Sequence, residues 1–135
     1  MTAEQYKRHL ILKEYAVLKA KREEAIADYC TLLTKLTKVT QNLSPLPGHG
    51  SGNDYDEKVY ELSQKFLKVR EIDSNISMIR NAVNDLPTIE CFVIRELYFQ
   101  KRKAGDVAKM LDKDKRTIFR IRNSALNNLI FIQIV

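Results

Sequence analysis

The sequence predicts an all-α protein. Residues 2–42 contain neither Gly nor Pro and are rich in Leu, Ala, Lys and Glu, which are strong helix formers. A second stretch free of Gly and Pro, residues 54–84, has the same helical spacing of apolar residues. The whole chain of 135 residues has four Gly, three Pro and no Trp, a composition unlike that of turn-rich β folds.

The first predicted helix begins near the start of the chain, where Thr2 and Gln5 have the spacing of a capping box. Its apolar residues alternate steps of four and three, with Arg22 in the one polar seat, and this heptad spacing predicts coiled-coil-like packing. The residues of this seam are Ile11, Tyr15, Leu18, Ala25, Tyr29, Leu32, Leu36 and Val39.

A loop at residues 42–53, with two Pro and three Gly, separates this helix from the next. The second helix, residues 54–84, is predicted to fold back on the first as a long antiparallel helical hairpin. This pairing places Arg22 near Asp73, and we expect them to form an ion pair that fixes the register, although both can also extend into water.

The hairpin carries a second apolar strip beside the heptad seam. Ile26, Cys30 and Leu33 form it, and a helix with two strips needs two neighbours. Residues 1–86 are therefore predicted to be an oligomerisation domain, with a homodimer as the expected form.

Positive charge concentrates in the rest of the chain. Residues 1–86 hold 13 Lys and Arg against 12 Asp and Glu, whereas residues 87–135 hold 10 against 5. The net charges are therefore +1 and +5, which account for the total of +6. A basic domain of this kind is expected to bind a polyanion, although a basic helical surface without a partner would look the same.

Residues 87–135 are predicted to fold as three short helices. Thr88 to Phe99 forms the first, and a three-residue turn, residues 112–114, separates the other two. Two short helices around such a turn, the second of them basic, are typical of a DNA-binding helix-turn-helix module. The predicted inward residues are Ile89, Phe92, Val93, Leu97, Val107, Ala108, Leu111, Ile118, Ile121, Ala125 and Leu129.

Double-stranded DNA is the expected partner of this module. Arg and Asn side chains read base edges in the major groove, and lysines beside them contact phosphates. The candidate base-reading residues are Lys115, Arg116, Thr117, Phe119, Arg120 and Asn123, and the candidate phosphate contacts are Lys101, Arg102, Lys103 and Lys113.

Residues 86–126 resemble the promoter-reading C-terminal domain of sigma factors, and more closely the sigma-like ends of the RinA and ArpU families of phage late-gene regulators. The residues that carry the resemblance are Leu86-Pro87, Tyr98-Phe99, Asp106-Val107-Ala108, Thr117 to Ile121 and Ala125-Leu126. The resemblance implies a transcriptional regulator of a phage or mobile element that activates packaging, structural or lysis genes. Such an activator can also contact RNA polymerase.

The sequence departs from the sigma pattern in the turn, and the long hairpin has no counterpart in the sigma domain. Asp112 and Lys113 replace the usual Gly and apolar residue, and Asp112 can adopt left-handed backbone geometry at a small cost. The apolar C-terminal tail, LIFIQIV, is unlike a solvated end. We expect Phe131 and its neighbours to extend the last helix into the groove between module and hairpin, or to meet a second subunit. A short strand that pairs across a dimer is the remaining alternative.

Two other functions are compatible with these features. One is a sigma-like adaptor that docks on RNA polymerase or a regulator; the other is the small subunit of a phage terminase. A protein inhibitor that binds the second strip or the recognition helix is also compatible with the sequence.

The sequence predicts neither catalysis nor a bound group. His9 and His49 lack partners spaced as metal ligands or as a triad, and there is no Gly-rich phosphate loop, so we expect no enzyme, metal or cofactor. No apolar run is long enough to span a membrane, and no secretory leader is recognisable. Two isolated cysteines suit a reducing compartment, so the expected location is the bacterial host cytoplasm.

Overall fold

The computed structural model describes residues 1–41 and 52–131, and these residues are almost entirely helical. The prediction of an all-α protein is confirmed, and the described residues include no strand. The helices are α1 (Ala3–Gln41), α2 (Gly52–Asn84), α3 (Thr88–Ile94), α4 (Ala104–Leu111) and α5 (Lys115–Asn128), and a π-helical turn (Arg95–Phe99) continues α3.

The start of α1 follows a local sequence signal, whereas α2 starts earlier than predicted. The predicted capping box is confirmed, because the Thr2 amide donates to Gln5 Oε1 at 2.8 Å and the Gln5 amide donates to Thr2 Oγ1 at 3.2 Å. The predicted loop at 42–53 lies mostly outside the described residues. Helix α2 begins at Gly52, two residues before the predicted start.

The chain divides into two compact units, and both long helices contribute to each. The larger unit contains residues 1–19 and the chain from residue 75 onward, and the smaller unit contains residues 20–74. This division differs from the predicted boundary at residue 86, because the start of α1 and the end of α2 belong with α3, α4 and α5.

In the smaller unit, α1 and α2 contact each other in antiparallel order. Arg22 forms an ion pair with Asp73, and the ring centroids of Tyr29 and Phe66 are 5.9 Å apart. The predicted pairing of Arg22 with Asp73 is thus confirmed, with the two side chains 43% and 44% exposed. At this exposure the pair is expected to contribute under about 1 kcal/mol, so its main effect is on register. The buried residues between these helices are Ala25, Leu32, Leu36 and Ile72.

The core of the larger unit lies between α3, α4 and α5. Four fully or nearly fully buried residues form its centre, and the half-buried residues around them include Phe92, Leu97, Leu111 and Ile121. The central residues are Val93, Val107, Ala108 and Ile118. Of the predicted inward residues, Ile89 is the exception, because it is 42% exposed.

Glu90, beside Ile89, is the residue that α3 buries instead. Its carboxylate accepts hydrogen bonds from Ser124 Oγ at 2.7 Å and from Asn128 Nδ2 at 3.0 and 3.3 Å. A buried carboxylate needs such donors, since it has left water. The prediction for Ile89 was wrong because apolar spacing alone ignores polar partners supplied by another helix.

The turn between α4 and α5 follows the predicted geometry. Asp112 has φ 53° and ψ 47°, the left-handed conformation, and the Lys113 amide donates to the Ala108 carbonyl at 2.9 Å. Asp114 then caps α5, because its Oδ1 accepts from the Thr117 amide at 2.9 Å and also from the Thr117 hydroxyl. These two hydrogen bonds lower the pKa of Asp114, so the cap is strongest when this carboxyl is ionised.

The far end of α5 is held by the first turns of α1. Arg8 Nη1 donates to the carbonyls of Leu126 and Asn127 at 2.8 and 2.9 Å. Gln5 Nε2 donates to the Asn123 carbonyl at 3.2 Å and to Asn127 Oδ1 at 3.1 Å. The last carbonyls of a helix have no partner within it, so a cation at this position both pairs them and opposes the helix dipole.

The predicted extension of α5 by the tail was wrong for the residues described. Helix α5 ends at Asn128, and Leu129 has extended backbone angles, φ −69° and ψ 126°. Leu129 is 1% exposed, Ile130 is 74% exposed and Phe131 is half-buried. The expectation for residues 132–135 lies outside the described residues.

We expect Arg8→Ala to lower the free energy of unfolding by about 1–3 kcal/mol, because it removes charge-assisted hydrogen bonds to two otherwise unpaired carbonyls. Urea denaturation followed by circular dichroism measures this change. Lys7→Ala is the matched control, since Lys7 is 72% exposed and lies 3.8 Å from Glu4 alone. Equal effects of the two substitutions would contradict the assigned role of Arg8.

Candidate nucleic-acid interface

One face of α5 presents two arginines to solvent. Arg116 and Arg120 are both exposed and lie one helical turn apart, near the beginning of the helix. The opposite face carries Ile118 and Ala125, which are completely buried. This arrangement anchors α5 on one side and leaves two long cationic side chains able to reach outward together.

Two other candidate base readers are engaged in contacts within the protein. The Thr117 hydroxyl donates to the Asp114 carboxylate as part of the helix cap. Asn123 Oδ1 accepts from Arg122 Nε at 3.2 Å and from Arg122 Nη2 at 3.1 Å. In this conformation neither group presents its full hydrogen-bonding capacity to solvent.

Phe119 is held between two cations on a neighbouring face of α5. The guanidinium carbon of Arg122 lies 4.9 Å from its ring centroid, and Lys115 Nζ lies 5.9 Å from it. The ring is half-buried, unlike the exposed side chains of Arg116 and Arg120. The predicted set therefore falls on two adjacent faces: Lys115 and Phe119 lie with Arg122, and the two exposed arginines lie beside them.

The four candidate phosphate contacts also differ in their surroundings. Arg102 pairs with Glu96, with 2.6 Å between Nε and Oε2, so part of its charge is neutralised. Lys101 and Lys103 are exposed and border a cavity, and Lys113 is exposed in the turn after α4.

The segment that carries these cations has unusual backbone geometry. The π-helical turn closes with the Gln100 amide bonded to the Arg95 carbonyl at 2.9 Å. Lys101 then adopts φ 55°, a left-handed conformation that is unfavourable for a residue other than glycine. The chain changes direction at Lys101, and the side chains of Lys101 and Lys103 both line the same cavity.

The cavity has a volume of about 630 Å³ and lies within the larger unit. Residues of α1, the π-helical turn, the start of α4 and one face of α5 form its walls. They are His9, Lys13, Leu97, Tyr98, Lys101, Lys103, Ala104, Lys115, Phe119 and Arg122. Among these described residues there is no Asp or Glu.

A hydrogen bond between His9 and Tyr98 forms part of the cavity wall, with 2.5 Å between Nδ1 and the phenolic oxygen. Burial, together with the positive charges of Lys13 and Arg122, lowers the pKa of His9. Burial also raises the pKa of Tyr98 to about 12, although Arg122 opposes this shift. At neutral pH the wall therefore combines an uncharged imidazole with a protonated phenol.

Sequence reasoning missed four polar side chains that line this cavity: His9, Lys13, Tyr98 and Arg122. A local signal existed on each helix, because residues 9 and 13 are one turn apart, and residues 115, 119 and 122 share one face. The meeting of these two faces depends on the packing of α1 against α5 across more than 100 residues of sequence, which no local pattern encodes.

The predicted oligomerisation strip is partly uncovered in the smaller unit. Ile26 is half-buried, whereas Cys30 is exposed and Leu33 is 41% exposed. The described helices thus leave an apolar residue and a thiol one turn apart on the surface of α1.

Over residues 1–41 and 52–131, the chain has no helix that is long and apolar enough to cross a membrane. Within the same residues, no three side chains of His, Cys, Asp or Glu are grouped to hold a metal ion.

Comparisons with protein-family models, curated proteins and solved structures return no match to this chain. The site is therefore interpreted from its own geometry and charge.

We expect His9 to titrate below its usual pKa of 6.5, and Lys13→Gln to move this pKa upward by removing one of the causes of the shift. Because the unfolded chain binds this proton more readily, folding stability falls as the pH drops below 6.5 toward the folded pKa. Proton NMR of the imidazole Cε1–H, assigned with His9→Gln, measures the pKa. Lys7→Gln controls for the loss of one charge from α1, and an equal shift in this control would refute the local explanation.

Proposed function

We propose that this protein is a dimeric, sequence-specific DNA-binding regulator of transcription, with α4 and α5 acting as a helix-turn-helix. The observation that carries the proposal is the pair Arg116 and Arg120, exposed one turn apart on a helix whose opposite face is buried. Arginine at this position in a recognition helix can bind guanine through O6 and N7.

Three further features support the proposal. Helix α4 is joined to α5 by a short turn with left-handed Asp112, and Asp114 caps the start of α5. The sequence from residue 87 onward has a net charge of +5. Lys101 and Lys103 before α4 and Lys113 after it are exposed, so they can contact phosphates.

The resemblance to RinA and ArpU regulators indicates which kind of genes the proposed regulator would control. On that basis we propose that the protein activates late genes of a phage or mobile element, for packaging, structural proteins or lysis. The proposed location is the cytoplasm of the bacterial host, where the promoter DNA and RNA polymerase are found.

We expect the double variant Arg116→Ala, Arg120→Ala to lose affinity for its promoter by about tenfold or more for each arginine, because a bidentate base contact contributes about 1–3 kcal/mol. Fluorescence anisotropy with labelled phage and host promoter duplexes, at several salt concentrations, measures the affinity. Lys58→Ala, Lys68→Ala is the matched control, since it removes two exposed cations from α2.

A promoter preference that the arginine variant loses and the control retains is the expected result. Equally weak binding to all duplexes, unchanged in the arginine variant, would overturn the proposal. That result would favour an adaptor that docks on RNA polymerase or another protein.

We further propose that the strip formed by Ile26, Cys30 and Leu33 joins two copies of the chain. An exposed leucine next to an exposed cysteine on one helical face suits a self-complementary contact around a twofold axis. A dimer of this kind would hold two recognition helices and predicts a DNA site with two half-sites.

We expect Leu33→Glu to convert the dimer to a monomer, because a charge would then be buried in an apolar contact. Sedimentation velocity at several concentrations measures the mass. Leu67→Glu is the control, since Leu67 is 53% exposed on α2 and lies outside the strip. A wild-type monomer at all concentrations, or a dimer that resists Leu33→Glu, would exclude this interface.

A further inference from the structure

The cavity described above concentrates positive charge without an opposing charge. Lys13, Lys101, Lys103, Lys115 and Arg122 all line it, and none of the described lining residues is acidic. Cations that line one cavity repel each other. An anion bound among them would remove this repulsion.

The charged side chains that line the cavity come from distant parts of the sequence. Lys13 comes from α1, Lys115 and Arg122 come from α5, and the remaining lysines come from the segment before α4. The left-handed backbone at Lys101 adds a local conformational cost at the same place. A cluster of surface lysines on a single helix would neither combine distant parts of the sequence nor include a left-handed residue.

The residues that line the cavity differ in their exposure. Lys13, Lys101, Lys103 and Lys115 are exposed, whereas Tyr98 is only 8% exposed. His9, Phe119 and Arg122 are half-buried. The less exposed lining residues therefore offer an uncharged imidazole, a phenol, a guanidinium group and an aromatic ring, and the exposed rim offers lysines.

The size of the cavity and its mixed polar and aromatic lining suit a small ligand. A volume of about 630 Å³ lies in the range that binds molecules of cofactor size. The phosphates of a duplex lie on a broad convex surface, so they meet exposed side chains such as the rim lysines most readily. A free phosphate-bearing molecule can reach the exposed and the half-buried residues alike.

We propose that this cavity is a binding site for a small phosphate-bearing anion of nucleotide size. Arg122 and the rim lysines bind its phosphate oxygens through charge-assisted hydrogen bonds. The ring of Phe119 provides an apolar wall for the rest of the ligand. This site does not depend on the proposed DNA-binding activity, although Lys101, Lys103 and Lys115 belong to both surfaces.

The experiment titrates the full chain with ATP and with pyrophosphate, using isothermal calorimetry and the Cε1–H signal of His9. We expect saturable binding with one site per chain, an upward shift of the His9 pKa and a higher melting temperature with ligand. The upward shift follows because a bound anion opposes the effect of Lys13 and Arg122 on His9. Binding that does not saturate, or that leaves His9 unchanged, would overturn the proposal.

Lys13→Gln, Arg122→Gln is the test variant, and we expect it to weaken ATP binding by about tenfold or more. Lys109→Gln, Arg120→Gln is the matched control, because it removes the same charge from two exposed residues that do not line the cavity. Equal weakening in both variants would mean that ATP binds only through overall charge, which would refute the site.

Arg122 also contacts Phe119 and Asn123, so the test variant is first checked for folding by circular dichroism. If it is unfolded, Lys13→Glu replaces it, since Lys13 is exposed and is not among the proposed DNA contacts, and the substitution changes the net charge by the same amount as the control. The same comparison with the control variant then decides the result.

A parallel titration with promoter DNA separates the two sources of phosphate. We expect the test variant to lose ATP binding and to keep its promoter preference. A wild-type chain that binds neither ATP nor pyrophosphate, with DNA binding lost in the test variant, would assign the cavity to a DNA phosphate instead. If no duplex binds at all, the proposed function fails, but the ATP titration still decides whether the cavity is a ligand site.

Discussion

The position of α5 depends on hydrogen bonds between its last turn and the first turns of α1. Arg8 and Gln5 supply the donors, and the acceptors are main-chain and side-chain oxygens more than 115 residues away in sequence. The capping box at Thr2 orients Gln5 for this contact as well as starting α1. The contact thus joins the last turn of α5 to the first turns of α1.

Several consequences of this contact reach the candidate site. Residues 9 and 13 follow Arg8 along α1. The contact between α1 and α5 therefore brings them to the same side of the larger unit as Arg122. Tyr98 meets His9 there, and Phe99 stacks on Tyr15 with 4.1 Å between ring centroids. The π-helical turn contributes by giving these two adjacent aromatic residues separate partners on α1. The charged cavity therefore depends on the packing of α1 against α5, whereas the two exposed arginines depend on α5 alone.

Features governed by short-range rules could be predicted from the sequence. The helix starts at Thr2 and Asp114 depend on a side chain and an amide three residues apart, and the left-handed turn at Asp112 depends on one residue type. The pairing of Arg22 with Asp73 was also predictable, because a regular heptad seam fixes which residues of two helices face each other. In each case few alternatives compete with the predicted arrangement.

The features that escaped prediction involve polar groups whose partners are distant. Glu90 is buried because Ser124 and Asn128 supply donors, and without knowing that, its neighbour Ile89 is the better candidate for the core. The separation of Phe119 from Arg116 arises similarly, because the two residues lie on adjacent faces and Arg122 holds the ring. Helical spacing shows which residues share one face of a helix, but it does not show which other helix packs against that face.

Because Arg102 forms an ion pair with Glu96, its charge is not free to bind an anion in the way that the charges of the unpaired lysines are. Binding of a protein to a duplex releases condensed counterions roughly in proportion to the phosphates it neutralises, at about 0.9 for each contact in the slope of log K against log salt. A guanidinium group already paired with a carboxylate releases few additional ions when it approaches DNA. If the protein binds DNA as proposed, the salt slope measures its unpaired cations and is shallower than the number of basic residues in the sequence suggests.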